Sequence, residues 1–147
     1  MAFLAGKVHE RFLKDSEVYV LGSMEVGVLV SEKVAVLIGS GKVGLLASNT
    51  CIVFSTRKPL AIGSAYCGVA LLVGANAPLL VGYLKSNKAF VRKAHVQRLC
   101  ASEATLSSLC AIDELEVSER TVFTDPHTYV KKVISIGDVS YSYRLCD

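Results

Sequence analysis

The 147-residue sequence predicts a mainly β fold of the α+β class. The expected architecture is an antiparallel meander forming a barrel or sandwich, as one β-rich domain over 1–147. Three observations lead there. From Glu17 onward, units of eight or nine residues open on a polar residue, run through four or five mostly apolar ones, and close on Gly, Ser or Asn. The units are rich in valine, which suits a pleated surface, and the 3.6-residue period of a helix is absent from them. Mean hydropathy is high, at +0.45. A composition of 52% hydrophobic and 20% charged residues excludes intrinsic disorder.

The elements follow in order. Residues 2–14 read as a short amphipathic helix, with Leu4, Val8 and Phe12 recurring every four positions. The repeat units then begin at 17, 25, 33, 42, 50 and 58. They fit strands of about five residues separated by tight turns. A small β-solenoid is the other architecture compatible with them. The meander is preferred because the units show no invariant corner glycine and six is few for a capped solenoid. Residues 59–84 carry no charge, long enough for a membrane span between Arg57-Lys58 and Lys85. The alternative is two buried strands joined by a turn at 74–78, and Asn76 and Pro78 favour it. A helix near 102–112 is expected from Ser102 as N-cap and Glu103 in the first turn. The remainder returns to strands. Gly137-Asp138 is the expected hairpin turn, and Val139, Tyr141, Tyr143 and Leu145 alternate with Ser140, Ser142 and Arg144.

Charge is segregated along the chain. Residues 33–102 hold Lys33, Lys42, Arg57, Lys58, Lys85, Lys88, Arg92, Lys93 and Arg98 and no acid. The next 23 residues hold Glu103, Asp113, Glu114, Glu116, Glu119 and Asp125 against Arg120 alone. If helical, Lys85, Lys88, Arg92 and His95 would line one stripe suited to a phosphate backbone. The competing reading pairs this basic segment with the acidic one that follows it.

No motif assembles a catalytic site. Gly39-Ser40-Gly41-Lys42-Val43-Gly44 matches the dinucleotide fingerprint. However, six residues separate it from the next strand, too few for the helix whose N-terminus would hold a pyrophosphate. The P-loop pattern fails, with Val36 and Val43 at positions that require glycine and a hydroxyl residue. Cys51, Cys67, Cys100, Cys110 and Cys146 form no C-x-x-C pair and read as free thiols. Cys51 and Cys67, two units apart, could nonetheless face each other. None is tied by spacing to His9, His95 or His127. Asp125-Pro126-His127 reads as a turn. No metal ligand set or cofactor site is expected, and the absence of tryptophan leaves no obvious base-stacking platform.

The expectation is therefore a non-enzymatic, cytoplasmic interaction or assembly protein that self-associates through its sheet. The alternative is a nucleic-acid-binding module using Arg57, Lys58, Lys85, Lys88, Arg92, Lys93 and Arg98. A membrane-associated protein is a third, weaker reading.

Overall fold

The computed structural model describes residues 1–141. The alternation read across Ser142, Tyr143, Arg144 and Leu145 lies outside them. The described chain is strand and turn, with no helix. The strands are β1 (Ala2–Val73), β2 (Leu79–Arg92), β3 (Ala94–Ser107), β4 (Ala111–Phe123), β5 (Tyr129–Ser135) and β6 (Asp138–Tyr141). Drawn out straight, β1 would be about 240 Å long at ~3.3 Å per residue. It is instead continuous β backbone wound through successive coils.

All five pairings between these strands are parallel. Parallel neighbours cannot be joined by two-residue hairpins. With no helical crossovers, the chain advances by coiling, each coil stacking on the one before. The fold is therefore a parallel β-solenoid, which overturns the antiparallel barrel or sandwich. The eight-residue recurrence was real but was half a coil: Gly22 stacks on Gly6 and Gly39 on Gly22. Later coils differ in length, as Leu60 pairs with Leu79, Leu79 with Ala94, and Ala111 with Tyr129.

Each coil has three faces. Along β1 and β2 the ladder runs through 60–62 with 79–81, 64–67 with 83–86, and 69–73 with 88–92. It skips Gly63/Gly82 and Gly68/Asn87, which are corners. The first corner is a glycine column, Gly27, Gly44, Gly63 and Gly82. A Cβ on any of them would sit 2.5 to 2.6 Å from the carbonyl oxygen of the coil below, too close for any side chain. Glycine thus fills this corner in four successive coils, at intervals of 17 or 19 residues rather than eight, and is not invariant: Arg11 precedes them and Gln97 and Asp113 follow at the same corner. The third corner holds the longer turns, including the expected one at 74–78.

Inward positions make a core of stacked apolar columns. The second face contributes Leu29, Leu46, Ala65, Leu84, Leu99 and Leu115; the third contributes Val20, Leu37, Val53, Leu72, Val91 and Leu106, all buried. Cys51 on the third face is joined to Cys67 on the second face of the next coil by a disulfide inside this core, with Cα atoms 6.0 Å apart. The free-thiol reading is corrected for this pair; Cys100 and Cys110 are free.

Neither expected helix is present: 2–14 lies in β1, and 102–112 is strand to Ser107, a turn over 108–110 and then the start of β4. Leu4, Val8 and Phe12 belong to β1, and their four-residue spacing is equally a multiple of the strand period of two. Over 102–112, Ala104 and Leu106 are buried while Glu103, Thr105 and Ser107 alternate with them. That alternation outweighs the capping signal at Ser102, which is a corner residue. Gly137-Asp138 is no hairpin: β5 and β6 both stack on β4, and Gly137, at φ 64°, turns the chain between two faces. Residues 59–84 run through the end of β1, the turn and the start of β2. No helix of the described residues is long and apolar enough to cross a membrane.

Candidate interaction surface

The third face is unlike an ordinary solvated sheet. Its inward residues Val18, Val20, Ala35, Leu37, Cys51, Val53, Ala70, Leu72, Ala89 and Val91 are buried. The residues between them therefore point outward. Coil by coil these are Glu17, Tyr19 and Leu21; Val34, Val36 and Ile38; Thr50, Ile52 and Phe54; Val69, Leu71 and Val73; then Lys88, Phe90 and Arg92. Eleven of the fifteen are Val, Leu, Ile, Phe or a tyrosine ring. Most are half-buried by lateral neighbours, while Val69 and Phe90 stand out at 38% and 45% exposure. One more coil precedes these five, with Gly6 under Gly22, and it adds Phe3 beyond Tyr19 at 59% exposure. Five residues by five coils cover about 17 Å by about 24 Å. Contiguous apolar patches beyond a few hundred Å² are uncommon on monomers. Strands apolar on both faces are the mark of parallel sheets covered on both sides, yet nothing in the described chain covers this face.

Further along, the same face changes character. Lys88 stacks on Glu103, Glu103 on Arg120, and Arg120 on Asp138. Glu103 and Arg120 form an ion pair at 3.7 Å. Charges are laced across the other faces as well: His95 to Asp113 at 2.9 Å, and Arg98 to Glu114 and Glu116 at 3.9 Å each. The basic and acidic segments lie one coil apart, which is why they meet. The internal pairing weighed from sequence is what the coil geometry produces for Arg98 and His95.

The basic residues proposed for nucleic acid do not form a stripe. Lys85 and Arg98 are on the second face, and Arg98 also stands over the Tyr83 ring, 5.8 Å from its centroid. Lys88 begins the third face and Arg92 ends it. Lys93 is at the third corner, where Gly74 stacks on it. Arg57 and Lys58 are exposed in the connection between third and first faces, beside the Ala77 N–H that donates to the Thr56 carbonyl. His95 is on the first face. The helical stripe was an artefact of assuming a helix. In a coil these side chains point in three directions, and only Arg57, Lys58, Arg92 and Lys93 share a corner region.

The dinucleotide-like glycines serve the coil. Gly39 and Gly41 have φ values of 149° and 118°, and a Cβ on either would collide with the carbonyl of Gly22 or Met24 below; Gly44 is a first-corner residue. No helix begins there to bind a phosphate. At Asp125-Pro126-His127 the expected turn is present, with the His127 N–H donating to the Asp125 carboxylate at 2.7 Å. Burial pushes the Cys110 thiol up, away from the thiolate a nucleophile needs. Cys110 donates to the Thr128 hydroxyl at 3.8 Å and faces the core, whereas His95 is held by Asp113 outside it. Among the described residues no group of three or more His, Cys, Asp or Glu is placed to hold a metal. A concavity of about 580 Å³ is an open groove along the second corner, lined by Asn49, Gly68, Lys85, Asn87, Cys100 and Ser102 among others.

Geometry places the molecule among parallel β-solenoids whose most distinctive surface is one apolar flank. No family model, curated protein or solved structure matches the chain.

Proposed function

We propose that this chain is a non-enzymatic assembly protein that self-associates by burying the N-terminal half of its third face. The observation that carries the reading is the run of outward apolar side chains at Tyr19, Leu21, Val34, Val36, Ile38, Ile52, Phe54, Val69, Leu71, Val73 and Phe90. Removing them from water is the driving force, and a flat sheet face against another, about 10 Å apart, is how sheets do it. Ile52 lies near the middle of the patch. Ile52→Lys would place a charge there while leaving the core untouched. The expected outcome is a monomer by light scattering with an unchanged β-sheet circular dichroism spectrum. A variant as multimeric as the parent would remove this face from the assembly.

Nucleic-acid binding is the second reading, and the clustering of Arg57, Lys58, Arg92 and Lys93 near the third corner favours it. It requires an affinity that falls steeply with salt and is lost in Arg92→Glu/Lys93→Glu. Cytoplasmic localisation, the placement expected from the sequence, requires Cys51 and Cys67 to be thiols in the cell. Their persistence as a disulfide would belong to an oxidising compartment. Trapping with a thiol-alkylating reagent at lysis separates the two.

A further inference from the structure

We infer that the occupant of the apolar face is a second copy of this chain, laid antiparallel about a two-fold axis passing over Ile52, with Glu17 of each copy meeting Lys88 of the other. This rests on the self-association reading above and adds the partner's orientation and register. The argument is one of charge complementarity along the face. From Glu17 to Lys88 the face runs through five coils, with Thr50, Ile52 and Phe54 in the middle one, and Phe3 extends the apolar column one coil beyond Tyr19. The first of these five coils begins with Glu17 and the last with Lys88, in the same column. Neither side chain has an ion-pair partner among the described residues.

Two identical faces can be apposed by a two-fold axis in the interface plane in two ways. An axis along the solenoid keeps the coils parallel and exchanges the two edges of the face. It sets Lys88 against Arg92 of the other copy, twice, concentrating four cations at one end of a desolvated patch. It leaves Glu17 against Leu21. An axis across the solenoid reverses the coil order and keeps each column against itself. Centred on the middle coil, it sets Val34 against Val69, Val36 against Leu71, Ile38 against Val73, Tyr19 against Phe90 and Leu21 against Arg92, with Phe3 against Thr105 beyond them. Ile52 then meets Ile52, Phe54 meets Phe54, and Glu17 meets Lys88 at both ends. Within the five coils apolar residues fall on apolar residues except at Leu21, which meets the stem of Arg92, and Glu17 is matched with Lys88, whereas like-charge juxtaposition is what disfavours the parallel alternative.

Carbodiimide, a zero-length reagent that joins a carboxylate to an amine in contact, tests this on the unaltered protein. Within one copy Glu17 and Lys88 are four coils apart, about 19 Å at ~4.8 Å per coil. An isopeptide bond between them can therefore form only across two copies. Mass spectrometry of the crosslinked dimer is expected to find the Glu17 peptide joined to the Lys88 peptide. A crosslinked dimer without that junction overturns the antiparallel register. Charge reversal gives a second readout: Glu17→Lys and Lys88→Glu are each expected to weaken self-association about tenfold at low salt, and the double variant to restore it. Equal affinity in all four proteins also overturns the register. A parent chain that is monomeric throughout overturns the self-association reading itself, a different result from a dimer that lacks the junction.

Discussion

The third face is two surfaces on one scaffold. Over residues 17–73 its outward side chains are almost all apolar; over 103–122 they are Glu103, Thr105, Ser107, Arg120 and Val122. Beneath them the core does not change. Val20, Leu37, Val53 and Leu72 give way to Val91 and Leu106 in the same column, all buried. A coil thus needs only its inward positions to be apolar in order to stack. What its outward positions carry is free to answer another requirement. In the later coils that requirement is met within the chain, by the Glu103–Arg120 pair. In the earlier coils nothing in the described chain meets it, and this asymmetry is the reason for assigning a partner to one half only.

The largest expected effect should ignore the asymmetry. Leu37→Ala and Leu106→Ala each remove a fully buried side chain from the same column and should each cost 2–5 kcal/mol in urea unfolding, whichever half they lie in. A much smaller loss at Leu106 would mean that the two halves differ inside as well as outside. Reducing the Cys51–Cys67 disulfide, which closes a loop of 16 residues, should lower stability by about 3 kcal/mol. Because the bond links successive early coils, the loss should appear as faster amide exchange there before it appears in β4.

The outward substitutions sharpen the contrast. Ile52→Lys should raise the dissociation constant for self-association at least a hundredfold, about 2.7 kcal/mol, whereas Val122→Lys, in the same column but the later half, should leave it unchanged. Equal effects would mean that the interface is not confined to the early coils. Arg120→Ala should cost under about 1 kcal/mol, as expected of a half-exposed ion pair, and the cost should shrink in high salt. The smallest effect is a pH dependence. Burial raises the Cys110 thiol above its ordinary value of 9.0, so the folded chain holds that proton more tightly than the unfolded one. Its contribution is fully present below pH 9.0 and is lost as pH rises through the folded-state value. Cys110→Ala should flatten the alkaline limb of the stability profile.

Much of this was legible in the sequence, and the errors have physical causes. Valine content and polar-led units identified strands, and the turn at 74–78 was placed correctly. Strand direction was misread because a hairpin turn and a solenoid corner ask for the same small or polar residues. The available discriminator was Gly27, Gly44, Gly63 and Gly82, which recur once per two units and whose spacing only a stacked coil requires. The false helix over 2–14 came from a spacing of four that both periods share, and the false stripe of Lys85, Lys88, Arg92 and His95 came from the same assumption. The apolar face was present as runs such as Val34-Ala35-Val36-Leu37-Ile38, apolar at every position rather than every second one. Such a run signals cover on both faces, but which of its residues face outward becomes known only once the coil is.

Sedimentation equilibrium of the unmodified chain without detergent, at low and at high salt, tests the central claim most directly. A burial-driven pair through the early coils predicts twice the 15.7 kDa chain mass at both salts. A species of 15.7 kDa at every concentration up to hundreds of micromolar would contradict it, and the apolar half of the third face would then need some other cover.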